Sequence, residues 1–425
     1  MKILVLGATG YIGRHVVACL SGEGHDVIGA VRDVGSFRRR FGGLQVRQVD
    51  LRASDTDWSA LVEGVDVIIN CAGILTGAHR AVHVKGPQSL YYAAAGARVR
   101  QVILLSAISA DADAGTDYAS SKLAGEQVLQ QQEGLEHVIL RPSLVHGPGS
   151  YGGTSLMRGF AGLPFVMPVV GKGDQLFAPI DMDDLTGLIS RCADQPERFN
   201  GQILSPQGPE QVSLAEILRR LRGWLDIHGG IVLHVPKPLV RIVCRMGDVL
   251  PMGPINSVAL QQIEHGNTGD YSAFEAQAGF SPKSHAEALA ARPSTVQDRW
   301  HARLWGLKPL STLALVLIWL SAGVIGLITG LPEAAAVTRL LQLPDGMSQP
   351  MGVAACLLDL CLAAWVASGR WWKGAAVAQI ATTAGFTLVI GAALPDLWSN
   401  PFGPLVKNLG ILMTIGLWAA TREEQ

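Results

Sequence analysis

Ile3-Leu4-Val5-Leu6-Gly7-Ala8-Thr9-Gly10-Tyr11-Ile12-Gly13-Arg14 begins as four apolar residues of strand character and ends on three glycines, each three positions from the next. The run Arg14 to Leu20 continues with helical spacing. A strand that turns into a helix over glycines brings its backbone close to a pyrophosphate, and the helix N-terminus favours the phosphate charge. Outward from this stretch the first 145 residues keep alternating. Val27 to Val31, Val65 to Asn70, Val102 to Leu105 and His137 to Leu140 read as strands separated by longer helical patterns. That alternation predicts an α/β fold with a doubly wound parallel sheet, whose ligands bind at the C-terminal strand ends.

The chain has 425 residues, 48% apolar and 16% charged, with a mean hydropathy of +0.27. Soluble proteins carry roughly 25% charged residues, so part of this chain is expected to face something other than water. With 34 basic and 35 acidic residues the net charge is -1, which excludes a global field for nucleic acid. Six cysteines without a Cys-x-x-Cys spacing argue against a disulfide framework or a zinc site and fit a reducing compartment. The five-residue apolar run after Lys2 is too short for a signal-peptide core, so the first domain is expected in the cytoplasm. No His-Glu-x-x-His and no Gly-x-Ser-x-Gly occurs, and no metal is expected.

The charges are unevenly placed, 56 in the first 300 residues and 13 in the last 125. Pro309 to Pro332 is free of charge over 24 residues, enough at ~1.5 Å per residue to cross a ~30 Å hydrocarbon core. Gly346 to Gly369, interrupted by Asp359, Gly374 to Pro395, and about Gly403 to Ala420, with Lys407 near its start, make four candidate spans. Arg299, Arg303 and Lys308 precede the first span, and Arg370 and Lys373 separate the second from the third. These basic flanks predict a cytoplasmic side shared with the C-terminus, Arg422 to Gln425. Asp359 near mid-span should face the bundle interior, whereas Lys407 can snorkel outward.

Tyr118-Ala119-Ser120-Ser121-Lys122 puts a phenol and an ammonium on one helix face. A free phenol titrates near ~10, so a proton-exchanging tyrosine needs a neighbouring cation to lower it. Cofactor choice turns on the end of the second strand, where Arg32 and Asp33 compete. An acid there would take a ribose diol, whereas Arg32 with Arg14 could clamp a 2′-phosphate, which favours NADP with NAD as the alternative. Arg38, Arg39 and Arg40 read as a solvated face.

The spacing Gly-x-x-Gly-x-x-Gly resembles that of extended and atypical members of the short-chain dehydrogenase/reductase superfamily. Asp50-Leu51, Asn70-Cys71-Ala72-Gly73 and Arg141-Pro142-Ser143-Leu144-Val145-His146-Gly147-Pro148 are similar to further motifs of that superfamily. The resemblance covers about residues 1–295 and implies a Rossmann domain with a small substrate lobe over 150–295. It also implies a cofactor site of Gly7, Thr9, Gly10, Tyr11, Ile12, Gly13, Arg14, Arg32, Asp50, Leu51, Ala72, Gly73, Tyr118 and Lys122. Tyr118 would exchange the proton as hydride moves, and Lys122 would hydrogen-bond the nicotinamide ribose. The helper serine falls on Ser106 when atypical members guide the alignment, and on Ile108 when extended members do. Ser106 matches a group related to the nucleotide-binding accessory subunit of respiratory complex I, where the cofactor can be structural. Pro168 to Asp174 and Pro179 to Leu185 also resemble that group, with Asp181 in place of its usual His. Asp183 and Asp184 read as helix-start residues.

From Gln297 onward, and chiefly over Leu397 to Asn408, the chain resembles the DoxX-like membrane family, four-helix proteins sometimes fused to reductases. The expected organisation is therefore a 1–295 Rossmann domain, a 296–308 linker and a 309–421 all-α four-helix transmembrane bundle. The expected function is a membrane-anchored NADP-dependent oxidoreductase of the cytoplasmic membrane, acting on a carbonyl or a quinone-like acceptor. The alternative is a non-catalytic cofactor-binding scaffold with a protein partner in a membrane complex.

Overall fold

The structure is a computed structural model and describes residues 1–111, 115–249, 253–329 and 331–422. The chain divides into two compact units between Arg299 and Trp300.

In the first unit, β1 (Lys2–Leu6), β2 (Asp26–Val31), β3 (Gln45–Gln48), β4 (Val67–Asn70), β5 (Gln101–Leu105), β6 (Glu136–Leu140) and Ile203–Leu204 form one seven-stranded sheet. Its order is Ile203–Leu204, β6, β5, β4, β1, β2, β3, and every pairing is parallel. The central strands are buried on both faces, and their side chains alternate between two cores. Ile3, Val5, Val67, Ile69, Ile103 and Leu105 pack on α1 (Tyr11–Gly22) through Val16, Val17 and Leu20, and on helix Met182–Asp194 through Leu185, Leu188 and Ile189. Leu4, Leu6, Ile68, Val102 and Leu104 pack against Leu90, Tyr91 and Ala94 of α4 (Gly86–Gly96) on the other face. The chain runs outward from β1 through β2 to β3, then returns to place β4 on the other side of β1. This reversal opens the crevice in which such sheets bind ligands.

A lobe follows β6. Val166–Val170 pairs parallel with Ile231–Val235, and helices Gly153–Gly162, Leu214–Trp224, Lys237–Val249 and Ser257–His265 surround this ribbon. Two hydrogen bonds fasten the lobe to the segment leaving β6: Ser143 Oγ donates to the Asn267 carbonyl at 2.8 Å, and Arg158 Nη2 donates to the Gly147 carbonyl at 2.8 Å.

The expected linker 296–308 is helical in the structure. It lies within the helix Val296–Thr329, which carries Pro309 in its interior. In the second unit this helix, Ser348–Ser368 and Trp372–Ala393 are long and apolar enough to cross a membrane. The fourth expected span is shorter than predicted. Pro401, Gly403 and Pro404 hold its start in turns, and the helix runs only over Asn408–Ala420. All four helices still share one core, with Leu315 and Trp319, Leu362 and Val366, Ala375 and Ala376, and Ile415 and Trp418 buried together. Residues 423–425 of the expected cytoplasmic C-terminus lie outside the described residues.

Candidate active site

Each glycine of the first turn has its own steric reason. Gly7 has φ +69°, and a Cβ there would stand 3.0 Å from Ala72 N and from the Cys71 carbonyl. The turn after β1 therefore lies directly on the turn after β4. The Gly10 N–H donates to the Gly7 carbonyl at 2.8 Å. A Cβ on Gly13 would come within 2.2 Å of Gly7 O, so only glycine lets α1 pack this close. Gly10 caps α1 without a side-chain hydrogen bond. The N–H groups of Tyr11, Ile12 and Gly13 open the helix without intrahelical acceptors, and a phosphate can take them. Thr9, Gly10, Tyr11, Ile12 and Arg14 all keep some surface open to solvent.

At the ribose end, the Arg14 guanidinium lies over the Tyr11 ring, 5.3 Å from its centroid. Burial lowers the Arg14 pKa, and Arg40 lowers it further, a sign that positive charge converges here. Arg40 reaches the Thr9 carbonyl at 3.5 Å, and Arg32 is exposed beside β2. Asp33 is otherwise engaged: it caps α2 (Val34–Arg40), and its Oδ1 accepts from Ser36 N at 2.9 Å. Asp50 is paired with Arg52 at 2.6 Å, and that hydrogen bond holds its carboxyl down at about 2. Leu51 is buried against Gly86, where a Cβ would come within 2.4 Å of Leu51 O.

At the other end, the buried Asn70 holds the turn after β4. Its Oδ1 accepts from Ala72 N at 3.1 Å, and its Nδ2 donates to Tyr91 Oη at 2.9 Å. Gly73 faces Lys122: a Cβ there would stand 3.2 Å from Nζ, so glycine keeps the ammonium's approach open. Lys122 belongs to α5 (Asp117–Gln130), which Thr116 starts by accepting from Ala119 N at 3.0 Å. Its Nζ donates to the Leu105 carbonyl at 3.0 Å, and burial pushes its pKa down to about 8.

Tyr118 lies one turn before Lys122 on α5, but its titration differs from expectation. Burial pushes the phenol up to about 12, and no influence of the ammonium offsets it. The Tyr118 ring packs edge-on against His83, with centroids 5.8 Å apart, and against His79 at 6.3 Å. His83 is the functional neighbour that sequence reasoning missed. Its Nε2 accepts from Ile74 N at 3.1 Å, so its proton sits on Nδ1, which donates to Ser121 Oγ at 2.8 Å. Burial, with Lys122 and His79 close by, drops His83 to about 3 and keeps it neutral. It stands on a π-helical turn, Ala81–Lys85, a wider turn that often marks functional positions. The sequence signal was the pair His79 and His83, four apart.

Residues 3–203 match the NAD dependent epimerase/dehydratase family, and residues 316–416 match the DoxX-like family. The chain joins an epimerase/dehydratase domain to a DoxX-like domain. Among similar proteins is UDP-glucose 4-epimerase of Vibrio cholerae, 28% identical over 258 residues, which cover 53% of this chain and 76% of that one. Ceramide reductase of Caulobacter vibrioides is 32% identical over 203 residues, covering 45% and 60%. The solved UDP-glucuronic acid 4-epimerase of Bacillus cereus, in complex with UDP-glucuronic acid and NAD, superposes with a TM-score of 0.52 at 20% identity. That superposition covers 68% of this chain and 97% of the other.

Within the epimerase/dehydratase domain, Ser106 is buried. Its hydroxyl donates to the buried Glu126, whose carboxylate also takes Arg141 Nη2 at 2.5 Å and Nε at 3.0 Å. Arg141, the first residue of the Arg-Pro stretch, thus braces β6 against α5. Asp181 caps helix Met182–Asp194 by accepting from Asp183 N at 3.0 Å and pairs with Arg292. Asp184 holds Lys283 Nζ at 3.0 Å, so these acids secure the lobe. Among the described residues no cluster of His, Cys, Asp and Glu could hold a metal. In the DoxX-like domain Asp359 is buried, and Lys407 is exposed at the start of Asn408–Ala420.

Proposed function

We propose that this membrane protein is an NADP(H)-dependent oxidoreductase that reduces a carbonyl or a quinone-like acceptor, with Tyr118 as proton donor. The observation that carries this reading is the approach of Lys122 Nζ to Gly73, one helical turn from Tyr118 and beside the turn that ends β4. The residues present fit a dinucleotide: the glycine turn would collide with any Cβ, α1 begins without a side-chain cap, and the Gly73 cradle would be filled by a methyl group. Bound NADPH would supply the hydride. Tyr118 keeps its proton at neutral pH and can give it to an oxygen that gains charge. Lys122 holds positive charge nearby, and His83, neutral and fixed in one tautomer, steadies the tyrosine ring.

Arg14, Arg32 and Arg40 have no carboxylate within ion-pair distance among the described residues, and Asp33 is spent on a helix cap. That arrangement supports NADP over NAD. The ceramide reductase relative supports reduction over epimerisation. The basic flanks support a cytoplasmic membrane location, with the dinucleotide domain and the C-terminus in the cytoplasm.

One observation favours a second reading, cofactor binding without turnover in a membrane assembly: the hydroxyl of Ser106 is given to Glu126 and is not free to polarise a carbonyl. The deciding experiment measures NADPH oxidation by purified full-length protein with quinone and carbonyl acceptors, and repeats it with Tyr118→Phe. Turnover that falls by about 10²-fold or more with NADPH affinity unchanged is expected. Tight NADPH binding with no turnover against any acceptor would establish the second reading instead.

A further inference from the structure

The lobe after β6 encloses a cavity of about 280 Å3. Helices Gly153–Gly162, Leu214–Trp224, Lys237–Val249 and Ser257–His265 wall it together with the ribbon Val166–Val170 and Ile231–Val235. Leu156, Met157, Leu218, Val240, Leu260 and Ile263 are among its lining side chains. The amide in the lining, Asn256, is already satisfied: its Oδ1 accepts from Ala259 N at 2.8 Å, and its Nδ2 donates to the Gly253 carbonyl at 3.3 Å. No charged side chain lines the cavity among the described residues. A nucleotide sugar placed here would leave its hydroxyls and phosphates without partners, a heavy desolvation cost. A hydrocarbon chain would leave nothing unpaired. At about 30 Å3 per water-sized group, the volume takes on the order of nine methylenes.

The outer side of the same wall points to where that chain comes from. Leu239 and Val243 line the cavity and are also exposed, so they stand at its mouth. Leu239, Ile242, Met246 and Val249 make an exposed apolar stripe along helix Lys237–Val249, and Val249 is 85% exposed. Ile231 and Leu233 of the strand that precedes this helix are exposed as well. The same helix carries Lys237, Arg241 and Arg245; Lys237 and Arg241 share Glu264 at 3.5 and 3.4 Å, and Arg245 has no ion-pair partner among the described residues. An apolar stripe and basic residues on one helix are the composition of a segment that lies in a bilayer interface with anionic lipids. The chain's own apolar helices keep it at a membrane.

We propose that this cavity takes the hydrocarbon chain of a bilayer lipid, entering past Leu239 and Val243 while the stripe rests in the headgroup region. The inference deepens the oxidoreductase reading, on which it rests only for the reaction at the lipid's polar end. The substrate class is then a long-chain lipid carrying a reducible group at that end. Ser143 and Arg158 fasten the lobe that holds the cavity to the segment leaving β6.

The test places the full-length protein in nanodiscs of phosphatidylcholine and phosphatidylglycerol that contain a phosphatidylglycerol with a diazirine near the end of one acyl chain. After photolysis, mass spectrometry locates the labelled peptides. Labelling within 153–170, 235–249 and 253–263, beyond that of the apolar helices after residue 308, is expected. Ala259→Trp should lower lobe labelling by about tenfold, because overfilling a packed site costs on the order of one decade of binding. Retained NADPH binding shows that the variant is folded, and Leu260→Trp serves if Ala259→Trp loses it. Labelling confined to the apolar helices in the wild type, or lobe labelling unchanged in a folded, filled variant, overturns the proposal. Turnover is not part of this readout: a labelled but inactive protein counts against the oxidoreductase reading alone, and an active protein with an unlabelled lobe counts against this one.

Discussion

A phenol at about 12 and an ammonium at about 8 define which states the site can use. Tyr118 keeps its proton at every physiological pH, which suits the proposed reduction, and Lys122 is the group that titrates. Its folded pKa lies below the ~10.4 of a free lysine. Between about pH 8 and 10.4 the unfolded chain thus binds more protons than the folded one, and the Lys122 contribution to stability rises with pH. Activity should move the other way. kcat/KM for NADPH-dependent reduction is expected to fall above about pH 8 as the ammonium is lost, while the melting temperature does not fall with it. Residual turnover in Lys122→Ala should lack that limb; a limb at the same pH in this variant assigns it to another group. Cofactor choice belongs to this scale as well. Charge-assisted hydrogen bonds contribute about 1.5–3 kcal/mol each, so replacing both Arg14 and Arg32 by alanine should weaken NADPH at least about tenfold and leave NADH unchanged. Equal NADPH and NADH affinity in the wild type would remove the 2′-phosphate assignment.

Contacts between elements explain what the sequence could and could not say. The strands of the buried middle of the sheet were legible because burial on both faces demands unbroken apolar runs such as Val102 to Leu105. β3, Gln-Val-Arg-Gln at the sheet edge, and the two-residue Ile203–Leu204 carry no such run. The glycine turn was legible because its steric demand is local. The link from Ser106 to Glu126 to Arg141 was not, because its members lie 20 and 15 residues apart and meet only when α5 packs on β5 and β6. For the same reason Ser106 reads from sequence as a catalytic helper, whereas the structure shows its hydroxyl donating to Glu126. Ser106→Ala should therefore lower stability by about 1–3 kcal/mol, the cost of leaving a buried acceptor short of a donor, and keep kcat within a few-fold. A loss near 10²–10³ in kcat, the effect of removing a donor to a developing oxyanion, would return Ser106 to the catalytic set.

In the whole molecule, the gaps in charge made the apolar region plain, and the proline and glycine residues at 401, 403 and 404 shortened its last helix to 13 residues, about 20 Å at ~1.5 Å per residue. That is less than a ~30 Å hydrocarbon core, so length alone leaves the number of crossings at three. Packing argues for a fourth. Trp418 Nε1 and Arg422 Nη2 both donate to Thr312 Oγ1 at 3.1 Å, which returns the end of the last helix to the start of the first uncharged stretch. Leu315, Val366, Ala375 and Trp418 share a core at that end, where Lys308, Arg370 and Lys373 also lie in the chain. At the opposite end Asn408 Nδ2 donates to Thr387 Oγ1 at 2.7 Å, beside the segments that hold Glu333 and Asp396. Lys308, Arg370, Lys373 and Arg422 thus gather at one end of the second unit, against Arg339 and Lys407 toward the other, and the positive-inside rule assigns the richer end to the cytoplasm. In a cysteine-free background, Leu341→Cys and Ser399→Cys should react with an impermeant maleimide added to intact cells. Lys308→Cys and Lys373→Cys should react only after the membrane is opened. A last helix that fails to cross would make Thr312 and Trp418 partners at opposite membrane faces, which their hydrogen bond forbids. Labelling of a cysteine placed after Arg422 from the same side as Ser399→Cys would therefore overturn both the four-crossing topology and the packing that supports it.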